Sequence, residues 1–244
     1  MNKQYFSEIH RILQTVEETQ AEAMDQLSAR MAEAIRAHRN LYVFGCSHAG
    51  ILAEELFYRT GGLAVINPIL APGLTLGVRP VTMTTQIERL EGYGRTIVQS
   101  AGVGEGDVLI VHSVSGRNPV PVEAALEARE RGAFTAALTN VAYSQSVSSR
   151  ASCGKRLYEV CDCVINNCGS VGDSVCEIPG LPEKVAASST AVGAAILNAV
   201  VADTVERLVS AGVVPPVFLS ANLEGGDAHN ARILEQYAGN IKYM

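Results

Sequence analysis

Residues 4–38 place apolar side chains at Ile9, Leu13, Val16, Met24, Leu27, Met31 and Ile35, mostly three or four positions apart. That is the spacing of one face of an α-helix. The pattern predicts one long amphipathic helix, an N-terminal arm over residues 1–38 ahead of a domain over residues 39–244. Such a stripe needs a cover, either its own domain or a second copy of the chain. The length of the arm points towards a homo-oligomer, a dimer or tetramer.

After Asn40 the period changes. Residues 41–45 (LYVFG) form a short continuous apolar run ending in glycine, as a buried parallel strand does. A helix is expected over 48–58 and a second strand over 63–67. Pro68, Pro72, Gly73, Gly77 and Pro80 then mark an irregular connection, and residues 85–99 read as a helix. Residues 107–113 give the third and clearest strand, followed by a helix over 120–131 that Gly132 closes. Strands four and five fall at 134–140 and 161–166, one long helix at 183–209, and a short helix at 228–237. Strands alternating with helices require crossover connections. The expected fold class is therefore α/β: a three-layer αβα sandwich around a five-stranded parallel sheet of flavodoxin-like order 2-1-3-4-5. Ligands bind such sheets beyond the carboxyl ends of the strands, where the order reverses between strands one and three.

Composition narrows the field. The formal charge of −6 argues against nucleic acid as a partner, since a phosphate backbone needs a basic surface. No window approaches the ~20 apolar residues of a membrane span, and the start MNKQYFSEIHRILQ lacks the apolar core of a signal peptide. A cytoplasmic protein is expected. Cys161, Cys163, Cys168 and Cys176 crowd together, but C-x-C-x4-C-x7-C is not the paired C-x-x-C pattern of a structural zinc site. Cys161 and Cys163 also lie in a strand-like stretch where cysteine packs as a small apolar residue, so no metal is expected.

The chemistry concentrates in two loops. GCSHAG (45–50) leaves the first strand and HSVSGRN (112–118) the third, each ahead of a helix whose free N–H groups favour an anion. Ser47, His48, Ser113, Ser115, Gly116 and Asn118 supply hydroxyl, ring, backbone and amide donors. Any one serine could be a helix cap. Hydroxyls converging from separate loops exceed what capping needs and suit a phosphate dianion. His112, a lone histidine at a strand end, reads equally well as a packing residue.

The stretch DVLIVHSVSGRNPVPVEAALEARERGAFTAALTN resembles the central signature of sugar-isomerase (SIS) domains: acid, apolar strand, Ser-x-Ser-Gly, helix, then a strand ending in Thr. FGCSHAGILAEEL resembles the family's first phosphate loop, and EKVAASSTAVGAAILNAVV its later helix, bearing Ser188, Ser189 and Thr190. The resemblance spans about residues 35–210, on a branch near phosphoheptose isomerases and muramic-acid-phosphate etherases. It implies a phosphosugar ligand held by the serine loops, with no cofactor, and an aldose–ketose isomerase; a sensor, or a lyase or etherase, is the alternative. In this chain Ser47 stands where the family's first loop has its second glycine, and Ala49 where it has its serine.

Isomerisation needs a base to move a proton between adjacent carbons. Glu55 lies in an AEEL segment like one that carries a functional glutamate in phosphoheptose isomerases. Glu183 is expected to open the long helix, where other SIS isomerases keep a carboxylate. His229, in the polar stretch NLEGGDAHNARI, is a candidate for ring opening. Each also has a plain reading, as a solvated helix residue, a dipole partner or a first-turn residue. Gly45–Ala49 also fits a loosened nucleophile elbow, but its triad would need Asp203 or Asp227 with His229 in a forced order. A dinucleotide site lacks both Gly-x-Gly-x-x-Gly and an acid closing the second strand.

Overall fold

In the computed structural model, which describes residues 3–244, helices α1 (Gln4–Thr19) and α2 (Ala21–Arg36) lead into strand β1 (Leu41–Gly45). A 3₁₀ turn (Ser47–Gly50) and α3 (Ile51–Leu56) follow. Strand β2 (Ile66–Ile69), α4 (Met83–Ile87) and α5 (Tyr93–Ala101) precede β3 (Val108–His112), α6 (Pro119–Glu130) and β4 (Phe134–Thr139). The chain continues through α7 (Val141–Gln145), β5 (Cys163–Asn166), the hairpin β6 (Ser174–Cys176) and β7 (Val185–Ala187), α8 (Ser189–Ser210) and α9 (Gly226–Gln236). Strands β1 to β5 form one parallel sheet in the expected order β2-β1-β3-β4-β5.

Because successive side chains on a strand point to opposite faces, each strand feeds two cores. Leu41, Val43, Ile110, Leu138 and Ile165 pack beneath α2, α3 and α8. Tyr42, Phe44, Leu109, Val111 and Ala137 pack beneath α5 and α6. These two faces make the three layers.

The structure departs from the pattern at four places. The N-terminal helix is broken at Gln20, which leaves helical geometry (φ −113°, ψ 4°). Thr15 and Thr19 turn their hydroxyls back to the carbonyls of Arg11 and Thr15 (2.9 and 2.6 Å), a bond that bends helices. The Gln20 side chain reaches instead to the Asn166 N–H (2.9 Å) at the end of β5. The apolar stripe lies on its own chain: Ile12, Val16, Leu27, Met31 and Ile35 are buried in the core shared with α8 and the sheet.

Strand β2 begins three residues later than expected. Ala64 donates to Pro216 (2.7 Å) and Leu63 bridges Val217, so the C-terminal segment takes their backbone groups. Pro68 is tolerated because β2 is an edge strand.

The helix expected over 85–99 is two helices, separated at Gly92 (φ 82°). Beyond the break, Gly94 lies so close to α6 that a Cβ would meet the Val120 carbonyl. The helix expected from Glu183 starts at Ser189 instead. Pro179, Gly180 and Pro182 shape the turn of the β6–β7 hairpin, and Glu183 lies exposed in it.

Burial pushes the Cys161 thiol up to about 12 and the Cys163 thiol up to about 11. Among the described residues no three His, Cys, Asp or Glu side chains are grouped to hold a metal ion.

Where α5 crosses α6, Glu123 accepts the N–H groups of Gly92 (2.7 Å) and Gly94 (3.2 Å) and faces Glu91. Burial, and then the facing Glu91, raise the Glu123 carboxyl against the pull of those N–H groups. When Glu123 is protonated, its hydroxyl can donate to the Glu91 carboxylate. A raised folded-state pKa adds stability that is full below the ordinary carboxylate range and is lost as pH climbs through the raised value. Glu123→Gln, whose amide donates to Glu91 without titrating, should flatten urea-denaturation stability between pH 4 and 8. An unchanged slope in the variant would remove the pair as its source.

Candidate functional site

In the β1–β3 register Gly45 lies opposite His112, so the two loops leave the sheet about 4.8 Å apart. The first loop turns back sharply: a Cβ on Gly45 would come within 2.5 Å of the Ala49 carbonyl. Ser47 takes a left-handed conformation (φ 53°), with its N–H donated to Leu74 (2.7 Å). His112 Nδ1 lies 3.0 Å from the Ala49 carbonyl oxygen, tying one loop to the other. A carbonyl only accepts, so Nδ1 carries the proton, and the buried Nε2 lone pair has no partner. Burial lowers the imidazole pKa, opposed by the Ala49 bond and by the nearby Asp173 charge, so the ring is neutral.

In the second loop most carbonyls are consumed, whereas beyond Ser113, whose N–H donates to Leu138 (3.1 Å), the N–H groups are not. Thr139 donates its hydroxyl to the carbonyls of Ser113 (2.7 Å) and Val114 (3.1 Å), and the Leu157 N–H donates to Gly116 (2.8 Å). The N–H groups of Ser115, Gly116 and Arg117 have no acceptor among the described residues. Gly116 makes the turn at φ 56°, pressed against Leu157, Ser144 and Thr139, where a Cβ would come within 3.1–3.3 Å. Asn118 occupies the cap position of α6 without a side-chain cap bond, and Pro119 takes the first turn. The hydroxyls of Ser47, Ser113 and Ser115 likewise bond to nothing among the described residues, so none of them is spent on capping. The loops thus present several unspent donors while most of their carbonyls are already bonded, the composition of an anion cradle.

The serines of α8 are in a different state. Asp173 accepts the N–H groups of Ser188 (3.2 Å) and Ser189 (2.8 Å) and their hydroxyls (3.2 and 2.5 Å). One carboxylate therefore fills the amino end of this long helix, beside the half-buried Thr190. Its charge reaching His112 places it near the two loops.

Glu88, at the end of α4, escaped the sequence reading. It hydrogen-bonds the Asn118 side chain in the second loop, and its charge reaches Cys46 in the first. Burial raises its pKa, opposed by Asn118 and then by Arg89 and Arg150. It is a half-buried carboxylate at the meeting of both loops. Its sequence signal was faint: an acid in a stretch that returns from β2 across the switch point.

The expected catalytic residues lie on three different segments. Glu55 is paired with Arg59 and accepts from Asn198 of α8 (3.3 Å). Glu183 is exposed in the hairpin turn, next to a Lys184–Glu177 ion pair. His229 binds the Val217 carbonyl through Nε2 (2.9 Å). Val217 bridges Leu63, ahead of β2, at the edge of the sheet opposite the loops. His48 lies exposed in the first loop.

The SIS domain model matches residues 4–140, which contain both loops and Glu88. The chain belongs to the SIS domain family. This SIS chain is 49% identical over 243 residues to a UPF0309 protein of Shouchella clausii, covering 99% of this chain and 98% of that protein. A UPF0309 protein of Geobacillus kaustophilus is 39% identical over 244 residues, covering 100% and 97%. The phosphoheptose isomerase of Neisseria gonorrhoeae superposes with a TM-score of 0.54 at 19% identity, over 83% of this chain and 95% of that one. That of Francisella tularensis gives 0.53 at 17%, over 82% and 94%. At such identities the likeness shows the shared SIS fold.

Asp173 anchors this arrangement, so Asp173→Ala should cost about 1–2 kcal/mol of stability, the usual loss of a helix cap, read by urea denaturation. Unchanged stability would mean water replaces the carboxylate without penalty.

Proposed function

We propose that this SIS protein binds a phosphosugar through its serine loops and interconverts the aldose and ketose forms. The observation that carries the reading is the unspent donor set of Ser47, Ser113, Ser115 and the Ser115–Arg117 N–H groups, at the switch point of the sheet. Backbone and hydroxyl donors hold a phosphate without a net positive charge, which suits an acidic chain. The SIS domain match and the superposed phosphoheptose isomerases support the same reading.

In this reading Glu88 carries the proton between C2 and C1 of the opened sugar, through an enediol. Its raised pKa suits a group that must both take and return a proton. Asn118, bonded to Glu88 and placed at the head of α6, orients the carboxylate relative to the phosphate. Glu55, Glu183 and His229 keep their place as alternative catalytic groups, and His229 is the one that would act in a neighbouring subunit's site.

The test is thermal shift with glucose 6-phosphate, fructose 6-phosphate, sedoheptulose 7-phosphate and N-acetylglucosamine 6-phosphate, each beside its unphosphorylated sugar. Only the phosphates should stabilise the protein, and Ser113→Ala/Ser115→Ala should abolish the shift. No response to any phosphate would end the phosphosugar reading.

For a ligand that is turned over, Glu88→Gln should keep binding and lose roughly 10²–10⁴-fold in kcat, the usual worth of a general base. The base must be ionised, so wild-type kcat/KM should rise with pH through a value above the ordinary carboxylate range. Binding without turnover would leave a phosphosugar sensor, and full activity in Glu88→Gln would move the base elsewhere.

A further inference from the structure

The outer side of the β3–α6 loop carries charge that holding one phosphate does not require. Three arginines from separate segments come to this side: Arg117 in the loop, Arg150 beyond α7, and Arg89 just after α4. The carbonyl of its neighbour Glu88 accepts the Val120 N–H of α6 (3.3 Å), and the Arg89 charge reaches Arg150. Arg117 is fixed to Ser148, with Nε 2.9 Å from its carbonyl oxygen and Nη2 3.3 Å from its hydroxyl. The Arg150 N–H donates to the Arg117 carbonyl (2.7 Å), and its Nη1 to Asn118 Oδ1 (3.0 Å). Arg150 thus joins the asparagine that bonds Glu88.

None of the three has a carboxylate within ion-pair distance among the described residues; Arg36, Arg39, Arg79 and Arg232 are likewise without one, but only Arg89, Arg117 and Arg150 stand close enough to act on one another. The Arg150 pKa is lowered, first by lost hydration and then by Arg117 and Arg89, against the opposing charges of Glu88 and Tyr143. Glu88 is the one carboxylate whose charge reaches Arg150, and it makes no ion pair with any of the three. Like charges held together in this way are destabilising until an anion joins them. A guanidinium has five donors, so these make few of the bonds they can.

We propose that Arg89, Arg117 and Arg150 form a second anion subsite beside the serine loops, so that the ligand is a sugar phosphate bearing a second anionic group. This inference rests on the phosphosugar reading above. The N–H and hydroxyl cradle takes the phosphate. The guanidinium groups, one joined to Asn118, take a carboxylate or second phosphate at another position of the sugar. Arginine suits either, because its planar fork bonds both oxyanions in pairs.

The experiment is calorimetric titration of the full chain at fixed ionic strength with two matched pairs: glucose 6-phosphate against 6-phosphogluconate, and fructose 6-phosphate against fructose 1,6-bisphosphate. In each pair the 6-phosphate is common and the second member adds an anion at C1; the fructose pair also shares its ring form, whereas 6-phosphogluconate is open-chain. At least one doubly anionic ligand should bind roughly tenfold or more tightly than its partner, as charge-assisted bonds give. Which pair shows the gain tells carboxylate from phosphate. Arg89→Gln/Arg150→Gln should reduce the ratio to about two or less, whereas Ser113→Ala/Ser115→Ala should weaken both members together. Equal affinities within both pairs would overturn the proposal. So would arginine variants that weaken both members equally, since the guanidiniums would then serve the first phosphate. If no sugar phosphate binds the wild type, the phosphosugar reading fails and this inference with it.

Discussion

The loop end of the molecule depends on a contact between two parallel strands. Gly45 faces His112 across the β1–β3 ladder, and the missing side chain lets the first loop fold back until the Ala49 carbonyl meets His112 Nδ1. A Cβ at residue 45 would push Ala49 away and leave both nitrogens of a buried ring unpaired. The bond fixes the tautomer, sets the first loop beside the second, and leaves Nε2 as a buried acceptor near Asp173. An unpaired buried acceptor costs free energy, and the compact turn of the first loop offsets it.

The second loop is held by the opposite device. Its carbonyls are drawn inward by Thr139 and by the Leu157 N–H, and that inward pull frees the N–H groups. The sequence motif Ser-x-Ser-Gly supplies the turn, but the Thr that ends β4 holds it. Gly116 is needed because the left-handed turn lies against Leu157 and Thr139. Loop and strand end therefore act as one unit, although 26 residues separate Ser113 from Thr139.

The parallel sheet, its order and both loops were legible because each rests on local signals: apolar runs, a glycine after a strand, hydroxyls before a helix. What escaped depends on contacts distant in the chain. The break at Gln20 comes from a side chain bonding the end of β5, 146 residues away. The start of α8 is fixed by Asp173 and by a proline-shaped hairpin, whereas the apolar and helix-forming residues after Glu183 suggested a continuous helix. Glu88 and the arginines gain meaning only when a connecting segment folds over the switch point. A charged residue in an irregular connection carries no periodic signal.

The two long-helix amino ends near the loops are treated in opposite ways, and the contrast orders the chemistry. Both concentrate free N–H groups and positive dipole. At α8 the protein supplies its own anion, Asp173, which takes the N–H and hydroxyl of both serines. At α6 the cap position holds an asparagine that turns away from its own helix to join Glu88 and Arg150, and the serines before it stay unbonded. A protein that needed only stability would have capped both. Leaving one open, beside a carboxyl with raised pKa and three unpaired guanidiniums, keeps several polar groups short of partners. A ligand with matching negative charge would satisfy them together, so binding would also tighten the segments that carry them: the end of α4, the β3–α6 loop and the stretch beyond α7.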